Sequence, residues 1–256
     1  MEKGLVSIIM PSYKCGRFIS DSIKSVQAQT YKNWELIIVD DCSGDNTEQV
    51  VKDFQKDDNR IRLLVNERNC GAALSRNYAL REARGRWIAF LDSDDLWKPE
   101  KLEHQLSFMI EKGYSFTYHD VTWYNETMEI IEKYQTGKKH VSVISMYCCC
   151  WPGCLTVMYD AHVVGLVQIE DIKKNNDSAM WLKIIKKADC YLLKENLASY
   201  RHRMGSITPP DFKTKIKWHY KLFHDADGRN AITALILTIA NILGNIYKKT
   251  FYFKYV

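Results

Sequence analysis

The first hundred or so residues alternate between short apolar runs and stretches of helical period, and no other feature restricts the fold as much. Residues 5–10, 35–40, 61–65 and 87–91 are apolar runs of strand length bounded by polar residues. Between them lie 18–29, with Ile19, Ile23 and Val26 at helical spacing, then 45–54, which opens with an acid as the helix dipole prefers, and 71–83. Strand and helix in succession predict an α/β fold with a mostly parallel sheet flanked by helices. Ligands of such sheets bind beyond the carboxyl ends of the strands.

The fourth run leads straight into Asp92, Asp94 and Asp95. Acids this crowded repel one another, and a divalent cation such as magnesium or manganese is the usual compensator, because hard ions prefer carboxylate oxygen. D-x-D alone is a weak pattern, and its plain alternative is a surface turn or an N-cap. A second copy, Asp225-Ala226-Asp227, reads as a solvated loop. The Asp92 copy differs because it follows a strand and a nucleotide-binding-like half. Neither G-x-x-x-x-G-K-S/T nor G-x-G-x-x-G is present, so backbone amides of a glycine loop do not cradle phosphates and a metal must neutralise them.

After Pro99 the rhythm changes. Residues 100–111 read as a helix, 114–143 as an aromatic and polar stretch of poor period, 155–159 as a strand, and 176–187 as a helix with Met180, Trp181, Ile184 and Ile185 on one side. Residues 230–247 form an apolar helix, too short and too broken by Asn and Gly to read as a membrane span. Met1 to Gly4 leads directly into the first strand, so no secretory leader is expected, the 8 cysteines are expected to be reduced, and the chain is expected in the cytoplasm. Cys148 to Cys150 and Cys154 contain no C-x-x-C pair, which argues against zinc. The net charge is +5, and residues 212–256 alone hold eight bases against two acids. The remainder is near neutral, which argues against a nucleic-acid partner. The K-K-T-F-Y-F-K-Y-V end mixes bases and aromatics as interfacial segments do. Either this tail makes peripheral contact with the anionic inner face of the cell membrane, or it packs on the domain or on a second subunit of a homo-oligomer.

Four motifs stand in order: P-S-Y after the first run, V-D-D-C-S-G-D-N-T after the second, N-C-G-A-A-L-S-R-N at the third helix, and F-L-D-S-D-D-L-W-K-P after the fourth run. Together they resemble the inverting family 2 glycosyltransferases of the GT-A fold, closely over the first hundred or so residues and more loosely to about Ser206. The resemblance implies a catalytic domain over 1–210, with a nucleotide-binding half 1–98 and an acceptor half 99–210, followed by a helical tail 211–256. Pro11 is expected to end the first strand and fix the backbone, and Tyr13 can stack on a flat base. Asp40 matches the residue that holds uracil in the family, and Asp41 reads as a loop cap. Arg76 matches an arginine that helps hold the nucleotide; its plain alternative is a surface ion pair. Asp94 is implied as the direct metal ligand, Asp92 as partner to the ribose or to metal-bound water, and Ser93 as a donor-site neighbour. Asp95 either ligates or tunes the field.

An inverting transfer also needs a base on the face opposite the leaving group. In the family this is the Asp of an E-D pair just before a helix containing W-L. Asp177 takes that position, with Asn176 where the Glu is usual; an N-cap role for Asp177 is the alternative, and the two are compatible. Glu170-Asp171 competes, but no W-L helix follows it directly. Arg201 to Ser206 is similar to an R-x-x-x-G-S loop near the diphosphate, which nominates Arg201 or Arg203, with Ser206. The Q-x-x-R-W signature of processive synthases is absent, so one sugar per encounter is expected. The resemblance therefore implies a UDP-sugar donor, a glycan or lipid-linked acceptor and bacterial surface-polysaccharide assembly. Its rivals are a nucleotidyltransferase acting on sugar phosphates and a non-catalytic nucleotide-sugar-binding protein.

Overall fold

The computed structural model describes residues 3–203 and 211–256. Its first part follows the predicted alternation: β1 (Val6–Ser12), α1 (Ile19–Gln27), β2 (Trp34–Asp40), α2 (Thr47–Asp57), β3 (Ile61–Val65), α3 (Ala72–Glu82) and β4 (Trp87–Phe90). The strands pair in parallel in the order β3-β2-β1-β4. Every residue of β1 and β2 is buried, so both faces must be covered. Ile9, Ile37, Val39, Ile88 and Phe90 join a core with α3, while Ile8, Met10, Leu36 and Ile38 join a second core with α1. The period-2 pleat thus divides one apolar run between two layers.

Beyond β4 the sheet changes character. The chain continues through β5 (Leu96–Trp97), α4 (Lys101–Lys112), β6 (Phe116–Tyr124), β7 (Ile131–Gln135), β8 (His140–Val141), α5 (Val143–Cys148), β9 (Met158–Asp160), α6 (Ala161–Val164), α7 (Asn176–Ile185) and β10 (Cys190–Arg201). β9 lies between β4 and β6 and is antiparallel to both, β7 is antiparallel to β6, and β10 runs parallel to β6. The parallel arrangement therefore belongs to the first half, and the whole is a mixed sheet with helices on its faces.

Three expectations need correction. The stretch 114–143, read as aperiodic, contains three strands, β6 to β8; β6 is buried on both faces over most of its length, which erases alternation. The strand expected at 155–159 begins only at Met158, in β9, because Cys154–Thr156 forms a 3₁₀ turn. Pro11 does not end β1, which runs on to Ser12 opposite Asp40. The pairing with β4 stops at Ile9 opposite Phe90, so proline sits where that flank has opened.

The tail forms α8 (Phe212–Lys221), α9 (Ala231–Tyr252) and β11 (Phe253–Tyr255). At 22 residues α9 is longer than expected and is long and apolar enough to cross a membrane by length and composition. It packs on α5 and α8, and β11 adds antiparallel to the edge strand β7. Asp227 is not solvated as predicted: its carboxylate is buried and binds Lys186, Arg229 and the Tyr147 hydroxyl.

Candidate active site

β1, β2 and β4 end side by side, and the candidate residues follow from those ends. Tyr13 leaves β1 with its ring half exposed, and Lys14 adopts a left-handed conformation held by its amide on Ser43 Oγ at 2.9 Å. Asp40 ends β2, buried, and accepts from the Ser43 amide at 3.0 Å and from the Ser43 hydroxyl. Asp41 accepts from the Cys70 and Gly71 amides at 2.8 and 2.7 Å and from Asn66 Nδ2 at 2.7 Å. It thereby caps the loop that opens α3.

Residues 92–95 form a tight turn after β4, closed by the Asp95 amide donating to the Asp92 carbonyl at 3.1 Å. Ser93 and Asp95 point inward and are buried, while Asp92 keeps about a third of its side chain exposed. Burial, with the Asp92 charge second, pushes the Asp94 carboxyl above the usual range; Arg203 works against this. Asp95 is pushed further up by burial and by the charges of Asp94 and Asp92.

Three arginines answer these acids. Arg76, buried on α3, donates from Nη2 to Asp92 Oδ1 at 2.6 Å and from Nη1 to Asn176 Oδ1 at 2.7 Å. It is a buried bridge, not a surface ion pair. Arg201 is fully engaged with protein: Nε donates to the Asp94 carbonyl at 2.9 Å, Nη1 to the Glu126 carbonyl at 2.8 Å, and Nη2 to Asp21 at 3.1 Å. Its backbone amide donates to Asp95 Oδ1 at 2.8 Å, so it braces the acidic turn. Arg203 is more open, pairs with Asp94 Oδ2 at 2.7 Å and lies over the Phe18 ring. Ser206 lies outside the described residues.

Asp177 sits in the first turn of α7, half-buried, and accepts from the Ser178 amide at 2.7 Å. Glu170 is drawn to Lys183 at 2.6 Å, and Asp171 is exposed. The Arg76 fork therefore joins the acidic turn to the residue immediately before Asp177. Sequence reasoning missed Cys15, whose thiol lies by Ser93, Asp94 and Arg203, and Lys248, whose Nζ binds the Cys150 and Trp151 carbonyls at 3.0 and 2.7 Å. The signal for Lys248 was present: Thr238, Asn241, Asn245 and Lys248 recur at steps of three and four along an otherwise apolar helix.

Among the described residues no three His, Cys, Asp or Glu side chains converge into a metal cage. Asp92 and Asp94 offer hard carboxylate oxygens, one of each already paired with Arg76 and Arg203 respectively. Magnesium is typically held through one or two carboxylates and substrate phosphates.

The model of the family "Glycosyl transferase family 2" matches residues 7–139. The Escherichia coli protein WfgD, named a UDP-Glc:alpha-D-GlcNAc-diphosphoundecaprenol beta-1,3-glucosyltransferase, is 41% identical over 221 residues, 85% of each chain. WfaP of Escherichia coli, with the same named activity, is 36% identical over 215 residues, 83% of each. Among solved structures, S. aureus TarS 1-349 in complex with UDP-GlcNAc superposes with a TM-score of 0.73 at 18% identity, covering 96% of this chain and 73% of that one. The mannosyltransferase PcManGT from Pyrobaculum calidifontis, in complex with GDP-Man and Mn2+, superposes with a TM-score of 0.66 at 15% identity over 96% and 73%.

Proposed function

The chain belongs to glycosyl transferase family 2, and from that premise we propose that it moves a single sugar from a UDP-sugar to a hydroxyl of a lipid-linked glycan at the cytoplasmic face of a bacterial membrane, with inversion at the transferred carbon. The observation that carries this reading is the Arg76 fork, which ties Asp92 to Asn176 and so holds the acidic turn and Asp177 in one unit. The named activities of WfgD and WfaP support UDP-sugar and lipid-diphosphate chemistry.

The residues divide the task. Tyr13 covers the base and Asp40 accepts from it, at the mouth made by β1 and β2. Asp92 and Ser93 meet the ribose and the diphosphate. Asp94 would hold a magnesium or manganese ion, with Asp92 beside it, and the ion would act as a Lewis acid on the departing diphosphate. Arg203 turns from Asp94 to the phosphates, while Arg201 keeps the turn in shape. Asp177 accepts the proton of the acceptor hydroxyl as its oxygen bonds to the anomeric carbon and the bond to UDP breaks. An α-linked donor then yields a β-linked product. The nucleotidyltransferase rival would show a glycine-rich loop with Arg after β1, where this chain reads P-S-Y-K-C-G-R-F.

Asp177→Asn tests this. Its amide oxygen can still accept from Ser178, so α7 starts normally. Transfer should fall by roughly 10²–10⁴-fold while UDP affinity is unchanged by calorimetry. Wild-type turnover in the variant would reject Asp177 as the base. Failure of the wild type to bind UDP would reject the reading as a whole.

A further inference from the structure

The helix α9 is inverted. Its inward face is polar: Asn241 Nδ2 donates to the Tyr147 carbonyl at 2.9 Å, and Lys248 holds the Cys150 and Trp151 carbonyls. Its outward face is apolar, with Ile232, Ile236, Ile239 and Leu243 each between 53% and 75% exposed. A helix of a water-soluble surface normally shows the opposite pattern. Only 22% of its most apolar window is buried.

We propose that α9 lies in the plane of an anionic membrane, its outward face bedded in the lipid and its polar face clasping the catalytic domain. A transmembrane arrangement conflicts with the packing. It would carry Asn241 and Lys248 into hydrocarbon and break their bonds to the Tyr147, Cys150 and Trp151 carbonyls. A second copy of the chain fits less well on charge: it would bring the same positive excess, since the tail's two acids are already paired, Asp225 with Lys221 and His224, Asp227 with Lys186 and Arg229. Anionic headgroups supply the missing charge. At the carboxyl end, Lys249 and Lys254 stand exposed among Tyr247, Phe251 and Tyr255, the mixture found at membrane interfaces.

This deepens the proposed function and rests on it only for the acceptor. Lys248 grips the Cys150–Trp151 backbone, and α5, on which α9 is seated, also packs against α7, so the membrane face and the candidate base belong to one packed unit.

The test is flotation of the full chain with phosphatidylglycerol and with phosphatidylcholine vesicles, beside the double variant Ile236→Glu/Ile239→Glu and with UDP calorimetry on both. Both side chains are exposed, so the variant should fold and bind UDP as wild type does. Wild type should float with the anionic vesicles, less so at high salt and with the neutral ones, and the variant should partition at least about 100-fold more weakly. Equal flotation of the two proteins, or none with wild type, overturns the proposal. So does a wild-type dimer that the variant converts to monomer. Loss of sugar transfer with flotation intact would instead count against the proposed function alone.

Discussion

At the scale of single residues, charge placement around the acidic turn makes the sharpest prediction. Asp94 is paired with Arg203 and sits beside Asp92, so removing it has opposite effects with and without metal. Without metal, Asp94→Ala deletes a negative charge near the diphosphate and frees Arg203, and UDP should bind as well as to wild type or better. With manganese, wild type should gain about tenfold or more in affinity, roughly 1.4 kcal/mol, and the variant should gain nothing. Calorimetric titration of UDP into both proteins, with and without the ion, decides it; an equal gain would remove Asp94 from the metal site. Much of this region was legible in the sequence because its acids are close in the chain, and Asp41 as a loop cap follows from its position alone. Arg76 was legible as a type but not as a bridge, because its partner Asn176 is 100 residues away. Arg201 and Arg203 could not be told apart in sequence. Only packing shows that the first spends its donors on the Asp94 and Glu126 carbonyls and on Asp21.

At the scale of elements, the parallel half was readable because each strand is a continuous apolar run between helices, whereas β6 to β8 were not. Those strands are short or lie between other strands, and their aromatic and polar residues follow tertiary neighbours, such as Trp123 against Tyr200 and Gln135. The tail was readable in length and composition but not in orientation, because which face of a helix is inside depends on what it meets. Gly244 shows what α9 meets: a Cβ there would run into the carbonyl oxygen of Cys148 on α5. In an isolated helix Gly→Ala would favour the helix by up to about 1 kcal/mol. Here a backbone atom cannot move aside as a flexible side chain could, and overpacking of this kind costs typically about 1–3 kcal/mol. Gly244→Ala should therefore destabilise by roughly 1–2 kcal/mol in urea denaturation. A stabilised variant would mean that α9 is not seated on α5 as described.

At the scale of the whole molecule, the sheet's two halves meet over α4 and β6, and that junction carries buried basic groups that the proposed chemistry leaves unused. Lys101 is fully buried, its Nζ without a hydrogen-bond partner and 3.9 Å from the centre of the Trp97 ring. His119 on β6 is buried with Nε2 unpartnered, and burial together with the Lys101 charge lowers its pKa from 6.5 to about 3. Nothing in the sequence marks either residue as buried, since Lys is ordinarily a surface residue and His is only intermediate in burial. The consequence for stability follows from linkage. Between about pH 6.5 and 3 the unfolded chain takes up a proton on this histidine and the folded chain does not, so stability is complete above that window and falls as the pH drops through it. The loss is at most about 1.4 kcal/mol per pH unit, hence roughly 2 kcal/mol over the first two units. His119→Gln keeps a neutral polar side chain at the site and removes the titration. Its free energy of unfolding, measured in urea across that range, should decline less steeply than that of wild type by this amount. Parallel curves would mean that the folded protein protonates His119 as readily as the unfolded chain does, and that the junction is open to water.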